Sequence, residues 1–138
     1  LETIEVLDEA AGRSGFKHEL EKLCGGSVRV TTTDVRSGNG WPDKVVDVMD
    51  LADNKKGFGK NRFHLVVSTV GGALYGPLPE KAIFQIVSVL KPGGIGVVSA
   101  KISNERLKQL AKRFNLTIKQ HYADSVVFSK NVGREKKR

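Results

Sequence analysis

One cysteine, one tryptophan, one methionine and four prolines are all that this 138-residue sequence holds of those residues. A lone Cys24 has no partner within the chain, so a disulfide framework is excluded. One cysteine and three scattered histidines do not supply the Cys/His spacing of a zinc site. No stretch approaches the ~20 apolar residues that a membrane-spanning helix needs. A signal-peptide pattern is also missing, and the expectation is a cytoplasmic protein in a reducing compartment. What is present is 39% hydrophobic and 28% charged residues, the composition of a soluble globular domain long enough to bury a core.

Positive charge is plentiful but unevenly placed. Residues 1–100 carry 12 basic and 12 acidic side chains, whereas residues 101–138 carry 11 basic and 3 acidic and so hold the whole net charge of +8. The division read from this is a domain over residues 1–133 followed by a basic tail at 134–138. A basic third attracts polyanions such as RNA through its field and through counterion release. It is equally a solvated helix face with a charged tail. Aromatic residues do not interleave with the basic ones as a stacking platform requires, so nucleic acid is admitted without being demanded.

β-Branched runs alternate with helical periodicity along the chain. Thr3 to Leu7 reads as a strand entering the small-residue turn Ala10-Ala11-Gly12-Arg13-Ser14-Gly15. Phe16, Leu20, Leu23 and Cys24 form one helical stripe, stopped by Gly25-Gly26. Val28 to Thr33 is a second strand closing on Asp34, and Lys44 to Met49 a third closing on Asp50-Leu51. Phe63 to Val70 is a nearly unbroken apolar run, as in a parallel strand covered on both faces. Glu80 to Leu90 is a helix that Lys91-Pro92-Gly93-Gly94 should break before a strand from Ile95 to Ala100. Asn104 to Phe114 is amphipathic, and Leu116 to Tyr122 and Ser125 to Ser129 form a hairpin across Ala123-Asp124.

This alternation predicts a single α/β domain with a mostly parallel sheet and an antiparallel C-terminal hairpin strand. Ligands of doubly wound sheets lie at the carboxyl ends of strands, so the residues that follow strands are the candidates. Small residues after the first strand let a backbone approach a ligand, and the next helix offers free N–H groups there. Asp34 stands where ribose hydroxyls are bound in nucleotide-binding sheets. Ala10-x-Gly12-x-x-Gly15 fits a relaxed dinucleotide fingerprint. Such turns also arise from packing alone, and strand-end aspartates are common.

Four segments together resemble the class I S-adenosylmethionine-dependent methyltransferases, a Rossmann-like three-layer sandwich, over essentially the whole chain. They are Val6-Leu7-Asp8-Glu9-Ala10-Ala11-Gly12-Arg13-Ser14-Gly15; Asp34 after its strand; Val46-Asp47-Val48-Met49-Asp50-Leu51; and Phe63 to Ser68 followed by the helix ending in Leu90-Lys91-Pro92-Gly93-Gly94. The resemblance implies S-adenosyl-L-methionine as cofactor, without a metal. It implies binding by Asp8, Ala10, Gly12, Ser14, Asp34, Asp50, Leu51 and Ser68, with Asp34 on the ribose and Asp50 at the adenine amine.

The sequence also departs from the family. Ala10 and Ser14 replace glycines, Glu9 adds a second negative charge, no clear helix separates the second and third strands, and no lid is inserted between the last two. Ser68-Thr69-Val70-Gly71-Gly72 lacks the acidic or amide residue before Pro-Pro-aromatic of base-modifying members. Lys101 stands where ribose-methylating relatives have a lysine, but their other charged partners are not visible and it reads first as a surface lysine at a strand end. His64 reads as a core or edge histidine, and Tyr75 as lining an acceptor pocket or packing its loop. No catalytic residue is named. The first reading is a methyltransferase domain working by in-line displacement on a macromolecular acceptor, RNA among them, with a protein partner completing the acceptor side. The second is a catalytically inactive scaffold or protein-interaction module. A nicotinamide-binding domain, the third, is disfavoured by Asp50 and the Leu90-to-Gly94 stretch.

Overall fold

The structure, a computed structural model, describes residues 2–11, 15–38, 40–69, 73 and 78–133. The chain runs β1 (Ile4–Asp8), α1 (Phe16–Cys24), β2 (Val28–Asp34), β3 (Lys44–Val45), β4 (Phe63–Ser68), α2 (Pro79–Val89), β5 (Leu90–Ser99), α3 (Asn104–Phe114), β6 (Leu116–Tyr122) and β7 (Ser125–Lys130). The strands form one seven-stranded sheet in the order β3-β2-β1-β4-β5-β7-β6. Neighbours from β3 to β5 are parallel, and β7 runs antiparallel between β5 and β6. Reversal of strand order at β1 and β4 opens the crevice that doubly wound sheets use for ligands. Among the described residues no helix lies between β2 and β3.

Terminators in the sequence set several boundaries. α1 ends on Gly25, whose φ of 59° a side chain would resist. In α3, the Ser103 hydroxyl accepts from Arg106 N–H at the start, and Asn115 takes the left-handed conformation at the end. α2 has Pro79 in its first turn, and its other end is capped from afar. Lys130 Nζ donates to the carbonyls of Val87 (2.8 Å) and Leu90 (2.7 Å) and to Asn61 Oδ1 (3.1 Å). Burial, with the like charge of Lys60, holds this lysine below its ordinary pKa.

The core forms where α2 and α3 cover the sheet. Ala82, Ile83, Ile86, Val87 and Val89 of α2, with Leu107 and Leu110 of α3, meet Leu7, Val66, Val98, Val126 and Phe128. Burying each large side chain contributes about 1.5–3 kcal/mol. α1 sits less deeply: none of its residues is buried, and Leu23 is 82% exposed.

Two elements depart most from the expectation; β4 also closes at Ser68, short of the expected Val70. The third strand stops after two residues, because Asp47 Oδ1 accepts from Met49 N–H and starts a 3-10 turn over Val48–Asp50. That capping bond overrides the β-branched preference of Val46 and Val48, which enter the core instead. Lys91 to Gly94 is not a loop. β5 begins at Leu90, paired with Phe63, and the next pair is Leu65 with Ile95, so the intervening residues bulge out of register. Gly93 has φ 86°, and a Cβ on Gly94 would meet the carbonyls of Lys91 and His64 at 2.8 and 3.0 Å. Proline and glycine here shape a bulge within a strand.

Candidate functional site

The candidate site is the carboxyl edge of β2, β1 and β4, and it is built from the turns that leave those strands. Asp8 ends β1 and is buried. The next residues are fastened on both sides: Glu9 N–H donates to Val67 O of β4, and Ala11 N–H to Thr33 O of β2, each at 2.9 Å. Between them Ala10 takes φ 55°, a conformation that favours glycine. Gly12 and Ser14 lie outside the described residues, as do Tyr75, positions 70–72 and the basic tail 134–138. Gly15 precedes α1 and accepts Glu19 N–H at 2.9 Å.

Asp34 ends β2, half-buried; its Oδ1 accepts from Arg36 N–H at 3.2 Å and its carbonyl from Val46 N–H at 3.1 Å. Asp50, also half-buried, sits in the 3-10 turn after β3. A loop over residues 53–59 closes against this turn. Asp53 Oδ2 accepts from the N–H groups of Lys55 (2.9 Å) and Lys56 (2.7 Å), Gly57 N–H donates to Asp53 O (3.0 Å), and Phe58 N–H donates to Leu51 O (2.8 Å). Those two N–H groups, the larger influence, hold the Asp53 carboxyl below its ordinary pKa. Lys44 Nζ ties the loop to β3 through Gly57 O at 2.7 Å.

The edge thus brings Asp8, Ala10, Asp34 and Asp50 to the ends of adjoining elements. Leu51 and Ser68 are drawn inward. Leu51 is fully buried in the core, its N–H bonded to Val48 O at 3.3 Å. Ser68 is fully buried at the end of β4, and its hydroxyl donates to Glu9 Oε1 at 2.5 Å. Glu9 is itself only 5% exposed. This buried Glu9–Ser68 pair is what sequence reasoning missed as a unit; the signal available was a second carboxylate directly after the strand-end Asp8.

Other residues singled out earlier have structural partners or stand apart. His64 Nδ1 accepts from Glu5 N–H at 2.9 Å, joining β4 to β1. Lys101 is exposed just beyond β5. Asp43, not foreseen, binds three groups near β3: Lys17 Nζ at 2.7 Å, Thr32 N–H at 2.9 Å and Thr32 Oγ1 at 3.2 Å. Burial acts to raise the Asp43 pKa, but Lys17 and the Thr32 bonds outweigh it and hold the carboxyl below its ordinary value. Among the described residues no group of His, Cys, Asp and Glu could hold a metal ion, and no helix is long and apolar enough to cross a membrane.

No family model matches the sequence, and no curated protein matches it. Solved structures do match in fold. A chain from the complex between the Haloferax volcanii Trm112 methyltransferase activator and a methyltransferase superposes with TM-score 0.70 at 14% identity, over 98% of this chain and 85% of that one. The Burkholderia thailandensis 1,6-didemethyltoxoflavin-N1-methyltransferase, solved with S-adenosylhomocysteine, gives 0.63 at 15%, over 94% and 72%. The chain has the class I methyltransferase fold. A third match is the cyclase SpnF, with TM-score 0.61 at 19% identity over 86% of this chain and 52% of that one. A methyltransferase fold therefore does not by itself fix the reaction. The chain spans about half the length of the first matches, 49% and 52%.

Proposed function

We propose that this chain is an S-adenosylmethionine-dependent methyltransferase domain acting on a macromolecular acceptor, with RNA the acceptor class its charge favours. The observation that carries the reading is the acidic edge: Asp8, Asp34 and Asp50 close β1, β2 and the turn after β3 in a sheet of this order. That set of acceptors fits a ligand with a ribose diol, an adenine amine and two positive charges. Asp34 would accept from the diol, Asp50 from the amine, and Asp8 would face the cationic end. Ala10, Gly12 and Ser14 would border the cofactor through their backbone. When bound, S-adenosylmethionine supplies a methyl group on a sulfonium, ready for in-line displacement. The chain's own share is positioning and water exclusion. The match to a chain from a Trm112 complex supports adding a protein partner that completes the acceptor side.

A second reading, an inactive scaffold of the same fold, draws support from the buried Glu9–Ser68 pair and from Ala10 at a glycine conformation. Calorimetric titration with S-adenosylmethionine and S-adenosylhomocysteine separates the two. Micromolar binding that Asp34→Ala weakens by about tenfold or more is expected from loss of a charged hydrogen-bond acceptor. No binding by the folded wild type would refute the enzyme reading and leave the scaffold.

A further inference from the structure

Antiparallel insertion of β7 beside β5 has a local result at the carboxyl edge. Ser99 pairs with Ser125, and Ala100 N–H donates to Asp124 O at 2.8 Å. The β6–β7 turn is thereby drawn to the end of β5, where α3 begins. A cleft of about 310 Å³ opens between them, lined by Ile102, Ser103, Asn104, His121, Tyr122 and Ala123. We propose that this cleft binds a nucleobase of single-stranded RNA, holding a nucleotide that flanks the reacting one. The inference rests on the RNA reading above and names where the acceptor is gripped.

The cleft's chemistry is that of a base site. Tyr122 is 76% exposed, and its ring has no aromatic or cationic partner among the described residues. An aromatic face held open in this way is what an unstacked base requires. Polar groups with unused capacity stand beside it. His121 Nδ1 is buried without a hydrogen-bond partner. Ser103 Oγ accepts from Arg106 N–H at 3.1 Å, so its own hydrogen remains to be donated. The Ser103 hydroxyl can meet an acceptor on a base edge, whereas the buried His121 Nδ1 is reached only if its ring turns toward the cleft.

Charge favours a polyanion over a neutral ligand. Lys101, Lys108, Lys112 and Lys119 are exposed on the elements that frame the cleft, and none has an ion pair among the described residues. Arg106 is engaged by Glu80, so it adds less. Glu105 and Asp124 are the acidic neighbours in sequence, fewer than the lysines. β7 and β6 are two and three strands from β4. At about 4.8 Å per strand, the cleft lies roughly 10–15 Å from the end of β4. That separation suits a flanking nucleotide.

Fluorescence anisotropy with a labelled single-stranded RNA of about ten nucleotides tests the assignment, within the site sizes of single-strand binders. Tyr122→Ala should weaken binding by about 5- to 150-fold, the loss expected from one base–aromatic stack. Tyr122→Phe should keep wild-type affinity, and Lys119→Ala should lower the salt slope by about one. A DNA strand of the same sequence should bind more weakly, and equal binding would overturn RNA as the occupant of the cleft. No RNA binding, or wild-type affinity in Tyr122→Ala, overturns the proposal. S-adenosylhomocysteine binding by the same samples is the separate readout. Cofactor without RNA removes the cleft and leaves the enzyme reading; RNA through Tyr122 without cofactor does the reverse.

Discussion

Gly57 is where the 53–59 loop lies closest against the backbone of Asp50 and Leu51, and its replacement by alanine should damage fold and site together. A Cβ at this position would stand 2.0 Å from Asp50 O and 2.3 Å from Leu51 O. Ordinary contact begins near 3.5 Å, so the backbone must part by more than about 1 Å. Both obstacles are main-chain oxygens, which cannot swing aside as the end of a side chain can. The displaced segment also carries the Phe58 N–H bond to Leu51 O and the Lys44 bond to Gly57 O. Overpacking of this kind costs about 1–3 kcal/mol, and each weakened hydrogen bond adds about 1 kcal/mol. For a domain of this size the melting temperature should fall by on the order of 10 °C. S-adenosylhomocysteine binding should weaken by about tenfold or more at a temperature where the variant is still folded. Gly26→Ala is the matched control, because its Cβ would meet nothing within 4 Å; its melting point should be unchanged or slightly higher. A Gly57→Ala protein that melts within about 2 °C of wild type and binds the cofactor equally well would refute the seating of this loop on the Asp50 turn.

Three further outcomes follow from the contacts. Lys130→Met keeps the aliphatic reach but withdraws the donors from Val87 O, Leu90 O and Asn61, and should lower stability by about 1–3 kcal/mol in urea denaturation. Ser68→Ala removes a hydroxyl partner from the buried Glu9 carboxyl and should cost about 1–3 kcal/mol, with a double-mutant cycle against Glu9→Ala showing strong coupling. Asp43 has its folded pKa depressed, so its contribution is present above the unfolded pKa and lost as pH falls through the carboxylate range toward the folded value. Urea midpoints should therefore decline between about pH 5 and pH 3, and Asp43→Asn should flatten that decline.

The legible parts of the fold are those governed by neighbours in sequence. α1 and α3 follow from apolar stripes, the first stopped by Gly25, and β4 from its nearly unbroken apolar run. The shortened β3 was hidden because one capping carboxylate, Asp47, competes successfully with a β-branched run. The bulge at Lys91–Gly94 was hidden for another reason: proline and glycine mark a bend without saying whether the strand resumes in register with β4. Of the edge residues, Asp8, Asp34 and Asp50 could be singled out because each follows a run of residues that reads as a strand. The Glu9–Ser68 bond joins residues 59 apart, and only the adjacency of β1 and β4 creates it. The cleft beside Tyr122 has the same origin, since β6 meets the start of α3 only after β7 is in place.

The position of β7 also governs how the chain can be assembled. It leaves the ribosome after β6, yet it occupies the place between β5 and β6. A nascent chain can join β1 to β5 early, but β6 must then wait beside an open edge formed by Ile95 to Ser99. Unpaired edges of this kind recruit strands from other molecules. A chain cut within residues 116–124 would keep that edge permanently, so truncation there should produce aggregates rather than a smaller working domain.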